Sequence, residues 1–182
     1  MYSSALSTYD NVLQGAQNEF NTQIAGNLNE LLGGTTSTTT TISFSQIAFT
    51  NNGVIPSIYT RAGGNKNPGC SWTAVQGAQS YAFIMNHTNS SGTYHHFLLE
   101  NIPSGFTVIT DGSLDGGQAI VNSFNIAGYV GPEVTSAPNT YNFYLYALSA
   151  ATINSTSISD FYANCALYSM GVGSFTGTYM NT

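Results

Sequence analysis

Charge is what this sequence has least of. Only 5% of its 182 residues are Asp, Glu, Lys or Arg, against about 25% in ordinary globular domains. Arg61 and Lys66 are its two cationic side chains, close together in the chain, and eight acids bring the net charge to −6. No basic patch can form. That excludes binding to nucleic acid through the phosphate backbone and polybasic attachment to anionic lipid. No apolar run approaches the ~20 residues of a transmembrane helix. The opening residues lack the basic start and apolar run of a secretory signal, so the chain is expected to be cytoplasmic at synthesis. Cysteine is nearly absent too. Cys70 and Cys165 permit one disulfide but give no framework, and the plainer reading is two buried free thiols.

Catalytic motifs are missing as well. No G-x-S-x-G occurs, and the scarcity of acids leaves no placed partner for a Ser-His-Asp arrangement. Gly116-Gly117 lacks the rest of a phosphate-cradling loop. Asp111, Asp115 and Glu133 read as loop residues. His87, His95 and His96 invite a metal reading. A catalytic zinc site needs three converging ligands, however, and adjacent residues of a strand point apart. No enzyme activity, metal or cofactor is expected.

What the chain does have is an apolar share of 42%, enough to fold. At this length it suits one domain with an appendage. The first segment carries Leu6, Tyr9, Leu13, Ala16, Phe20, Ile24, Leu28 and Leu31. Steps of three or four residues predict an amphipathic helix over residues 4–32. Ser3 or Ser4 caps its start, and Gly33-Gly34 closes it. One apolar stripe on a lone helix is unsatisfied in water and must pack on something. Residues 35–41, a Thr/Ser run, read as a stiff extended linker.

Beyond residue 42 the period changes to two. Ile42, Phe44, Ile47 and Phe49 suggest strands, as do Tyr81-Ala82-Phe83-Ile84-Met85, His96-Phe97-Leu98-Leu99 and the aromatic-dense Tyr141 to Leu148. Asn51-Asn52-Gly53, Gly63-Gly64-Asn65, Asn67-Pro68-Gly69 and Gly131-Pro132 read as turns. Residues 157–166 read as a short helix, with Ser157 or Ser159 as cap and Asp160 in its first turn. The Gly-rich end, residues 171–182, gives no clear element.

Four stretches together carry a family likeness. The first is Gly53-Val54-Ile55-Pro56-Ser57-Ile58-Tyr59-Thr60 with Gly64-Asn65-Lys66-Asn67-Pro68 and Ser71-Trp72. Ser80-Tyr81-Ala82-Phe83-Ile84-Met85 follows, then Tyr94-His95-His96-Phe97-Leu98-Leu99-Glu100-Asn101-Ile102-Pro103. The fourth is Gly128-Tyr129-Val130-Gly131-Pro132 with Tyr141 to Leu148. In order and spacing they resemble the phosphatidylethanolamine-binding protein (PEBP) family, especially its bacterial Raf-kinase-inhibitor-like branch. The resemblance implies a mainly β fold: a large central antiparallel sheet, a smaller sheet and short peripheral helices. The leading helix is no part of that fold. The chain divides into residues 1–34 as a helical attachment segment, 35–41 as linker and 42–182 as the β domain.

The resemblance also implies an anion pocket. In the family it uses an acid pair in an Asp-Pro-Asp-Ala-Pro loop, a His on the next strand, a second His after Gly-Pro, and a Tyr two residues further on. Here the loop after Met85 reads Asn86-His87-Thr88-Asn89-Ser90-Ser91, and His87 and Asn89 stand where the acids would. His96 matches the strand His, with Tyr94 in place of the usual Trp. Gly131-Pro132 match the Gly-Pro, Asn139 falls at the second His, and Tyr141 matches the Tyr. The residual pocket is therefore expected from His96, Tyr141, Tyr94, His87, Asn89, Pro132 and Asn139, with half its polar chemistry changed. His95 is expected to point to the other face.

Two functions follow. The eroded pocket, the apolar stripe of Leu6, Tyr9, Leu13, Phe20, Ile24, Leu28 and Leu31, and the charge-poor surface favour a structural protein. It would be a phage or large-virus virion component, made in the host cytoplasm, with protein partners bound through the leading helix and homo-oligomer formation. The alternative is a cytoplasmic PEBP-type binder of phosphate or a phospholipid headgroup, or a regulator of a kinase or protease.

Overall fold

Four long strands take up the β-branched and aromatic runs of the chain, and they set the architecture. The structure, a computed structural model, describes residues 40–133 and 138–180. They belong to a single unit, Thr39–Thr182. The strands are β1 (Thr40–Thr41), β2 (Phe44–Ile47), β3 (Gly53–Val54), β4 (Cys70–Trp72), β5 (Ser80–Asn89), β6 (Gly92–Pro103), β7 (Val108–Ile109), β8 (Gln118–Ala119), β9 (Asn139–Leu148) and β10 (Ser169–Tyr179). Among the described residues an α-helix, α1 (Ile158–Tyr168), precedes β10, and a single 3-10 turn spans Ser57–Tyr59. The expected attachment helix with its stripe from Leu6 to Leu31 lies outside the described residues.

The large sheet has seven strands in the order β1-β10-β9-β5-β6-β8, with β3 also on β10. It is mixed, not purely antiparallel as expected, because β1 and β3 both run parallel along β10. The antiparallel expectation holds for the pairs β10–β9, β9–β5, β5–β6 and β6–β8. Thr40 and Thr41 are thus sheet residues, and only the earlier part of the supposed linker is left outside the described residues. The edge strands β1, β3 and β8 are two residues long, which leaves little unpaired edge to recruit another chain. The smaller sheet is β2-β4-β7.

β5 is the central strand, and Ser80 to His87 are buried throughout. That explains its continuous apolar run. Its odd positions Tyr81, Phe83 and Met85 join a core shared with the small sheet's Cys70, Trp72 and Ile109. Its even positions Ala82 and Ile84 face a second core with Phe161 and Cys165 of α1. The two cysteines are free and buried, and they sit in separate cores. Each large apolar side chain buried this way contributes roughly 1.5–3 kcal/mol.

α1 starts where the cap signal placed it. Ser157 accepts from the Asp160 N–H at 3.1 Å, and Asp160 sits at the favourable positive end of the helix.

β10 is the strand that glycine hid from the sequence pattern. Its buried positions include Gly171, Gly173, Phe175 and Gly177. A Cβ at Gly173 would lie 2.6 Å from the Ile42 carbonyl oxygen, and one at Gly177 would lie 2.6 Å from the Phe49 ring. The chain crossing β10 lies too close for side chains there. Phe175 fills the gap between them and stacks on Phe143 at 4.6 Å and 4°.

Candidate functional site

The expected loop after Met85 is instead a hairpin. β5 continues through Asn89 and β6 starts at Gly92, with only residues 90–91 between them. Gly92 takes φ +133, as a tight hairpin requires. The Asn89 side chain accepts from the Ser91 N–H at 2.8 Å, an Asx turn that fixes the reversal. His87 and Asn89 are therefore strand residues with fixed directions.

Register then assembles the site. Tyr141 of β9, His87 of β5 and Tyr94 of β6 lie side by side across three adjacent strands. His96 joins them through an irregularity. The β5–β6 register runs Met85–Phe97 and then Asn86–His95, skipping His96. Simple alternation from Phe97 would have sent His96 to the opposite face. The bulge turns it onto the face of His87 and Tyr141.

The result is a cleft of about 180 Å³ lined by His87, Asn89, Tyr94, His96, Phe124, Glu133, Asn139 and Tyr141. Six of the seven expected residues line it. The His96 and Tyr141 rings are 5.2 Å apart, and Tyr94 stacks on His87 at 5.3 Å and 14°. Pro132 is the exception. It is buried, and its carbonyl accepts from the Arg61 N–H at 3.0 Å. Gly131 beside it presses against the Tyr59 carbonyl, 2.3 Å from where a Cβ would be. Gly131-Pro132 anchors the wall and does not line the cleft.

Phe124 and Glu133 were missed by the sequence reading. Phe124 rides on a loop organised by buried Asn122. The Asn122 amide donates to the His96 and Gly128 carbonyls at 3.1 and 3.0 Å and accepts from the Phe124 and Ile126 N–H groups at 2.8 and 3.2 Å. An Asn followed by Ser-Phe-Asn is a turn signal, but nothing in it points the Phe ring at His96, 5.0 Å away. Glu133 stands at the rim, where Arg61 donates to it.

The histidines form a directed chain. His96 Nδ1 lies 2.6 Å from the Val130 carbonyl oxygen, which can only accept. That nitrogen carries the proton, and His96 Nε2 is the acceptor. His87 Nδ1, 2.8 Å away, donates to it. His87 Nε2 is then left as an acceptor for the Asn89 amide at 3.4 Å. Every link works with both rings neutral. Burial pushes the His96 pKa down to about 4; the neighbouring His87 and His95 add to the shift, and the Val130 bond opposes it. Burial lowers His87 as well. Burial raises the Tyr141 phenol, with the Asn139 hydrogen bond partly opposing. His95 points away as expected: its Nε2 meets the Tyr162 hydroxyl of α1 at 3.1 Å.

The comparisons with known proteins now decide the family. Residues 45–180 match the profile of the family described as phosphatidylethanolamine-binding protein. The chain belongs to the PEBP family. A relative described as UPF0098 protein, from Methanothermobacter thermautotrophicus, is 37% identical over 109 residues, covering 56% of this chain and 72% of that protein. Two solved structures share the PEBP fold. A PEBP homolog from Chlamydia trachomatis superposes with TM-score 0.72 at 20% identity, over 79% of this chain and 100% of that one. YbcL from E. coli, described as a member of the mammalian PEBP family, gives TM-score 0.67 at 19% identity, over 78% and 98%.

Proposed function

We propose that the protein is a non-catalytic PEBP-type binder of a small polar ligand of phospholipid-headgroup size, held in the cleft beside His96. One observation carries this reading. Side chains from β5, β6, β9 and two loops converge on a single cleft of about 180 Å³ at the expected place. Buried polar groups held in register without a core-packing purpose are characteristic of a binding site. Family membership supports it over the virion role, which rested on composition and on an apolar stripe outside the described residues.

The site offers aromatic walls and hydrogen-bonding groups, and no nucleophile beside a free base among its lining residues. It is built to hold a molecule, not to transform one. Titration of the full chain with phosphoethanolamine, followed by amide NMR shifts, is the test. Saturable shifts centred on Tyr94, His96 and Tyr141, lost in His96→Ala, are expected. A flat titration, or shifts remote from these residues, overturns the reading.

A further inference from the structure

We propose that the cleft selects an organic ammonium group, free or as the amine end of a zwitterion, over a phosphate. This rests on reading the cleft as the ligand site and names what it recognises there.

Hydrogen-bond direction disfavours an anion in the cleft. A phosphate needs donors, and the imidazole pair presents none. His96 spends its proton on the Val130 carbonyl and its lone pair on His87. His87 spends its proton on His96, and its remaining nitrogen is an acceptor already turned toward Asn89. A donor facing outward would need either an extra proton or a reversal that sets two lone pairs against each other. Burial opposes the extra proton on both rings.

Charge points the same way. Glu133 is the single formal charge among the lining residues, and neither Arg61 nor Lys66 lines the cleft. Arg61 donates to one oxygen of Glu133. A carboxylate has about four acceptor positions, so the rim keeps negative character. A dianion entering here would meet a carboxylate, and the one cation at the rim, Arg61, is already paired with it.

The walls complete the match. Tyr94, Phe124 and Tyr141 line the cleft, with Tyr94 and Phe124 ring centroids 6.4 Å apart. Ring faces attract an ammonium ion and repel an anion. A carboxylate, aromatic faces and the His87 Nε2 lone pair are the complement of a cation.

The test uses the full chain at neutral pH, with choline, ethanolamine and inorganic phosphate as separate probes in calorimetric or NMR titrations. Choline or ethanolamine is expected to saturate the cleft and phosphate to leave it unchanged. Glu133→Gln should weaken amine binding about fivefold. Arg61→Gln should strengthen it by a few-fold, since it removes the cation competing for Glu133. Both side chains are about half exposed, at 50% and 49%, so neither change threatens the fold. Vesicles of phosphatidylcholine separate the sources: flotation of the protein with them assigns a lipid headgroup, while choline binding without flotation assigns the free amine, and either outcome supports the proposal. Phosphate saturation without amine binding overturns the proposal and leaves the binding site standing. Silence from all three probes overturns both.

Discussion

β5 and β6 carry a chain of polar side chains on each face, and the two chains end differently. On one face Asn89, His87 and His96 run inward to the Val130 carbonyl beside an open cleft. On the other face Asn142 donates to Asn86, Asn86 to the Tyr162 hydroxyl, and that hydroxyl meets His95. The second chain runs through Tyr162 of α1, and its Asn142, Tyr162 and His95 are half-buried. Both link asparagine to histidine across β5 and β6, and the second also takes in Asn142 of β9 and Tyr162 of α1. What separates them is where they lead: a helix side chain, Tyr162, joins one, and the loops bearing Phe124 and Glu133 frame a cleft beside the other.

The sharpest way to break the comparison is to remove one histidine from each face. His96→Ala takes the partner from the Val130 oxygen and from the His87 N–H, beside a cleft that water can enter. It should cost on the order of 3 kcal/mol and abolish ligand binding. His95→Ala should cost on the order of 1 kcal/mol and leave binding intact. Urea unfolding of the two variants, paired with the NMR titration, reads both effects.

A pH series sharpens it next. His96 titrates about 4 when folded and near 6.5 when unfolded, so the unfolded chain binds more protons between those values. Stability from neutral His96 is therefore complete above about pH 6.5 and is lost as pH falls toward 4. At about 1.4 kcal/mol per pKa unit, the loss is on the order of 3 kcal/mol. His96→Gln should flatten that part of the stability profile in chemical denaturation.

Smaller effects test the supports of each face. Asn122→Ala removes four hydrogen bonds, one that ties the Phe124 loop to the His96 carbonyl of β6 and three that hold the loop together. A melting-temperature drop equivalent to about 2 kcal/mol is expected, together with weaker ligand binding. Tyr162→Phe removes the hydroxyl shared by Asn86 and His95. It should cost about 1 kcal/mol without touching the ligand titration. A change in binding there would mean that the two faces are coupled.

Much of this was legible in the sequence, and the misses have physical causes. The runs at Tyr81 to Met85 and Tyr141 to Leu148 were readable because buried central strands are apolar on both faces. Ser157 announced α1 through its cap. β10 was not readable, because its inward positions are largely glycine, chosen for close approach of Ile42 and Phe49. The hairpin at residues 90–91 was hidden because a polar run reads as loop even when it is paired. Most of the cleft was found through the family motif, while the bulge that turns His96 inward leaves no mark in local composition. Glu133 and Phe124 were invisible because long-range docking of loops, not spacing, brings them to the rim. The parallel pairing of β1 and β3 is likewise a matter of tertiary path.

The scarcity of cations has a practical consequence. Arg61 and Lys66 are the two Lys/Arg side chains of the chain, and both are exposed in the segment that joins Tyr59 to Pro68. Trypsin cuts after these residue types alone, so its action on the folded protein interrogates this segment and nothing else. Arg61 is also the partner of Glu133 at the cleft mouth. The rate of tryptic nicking is thus a built-in gauge of what happens there: a molecule that draws Glu133 away from Arg61 should change it, with no label attached and no residue replaced.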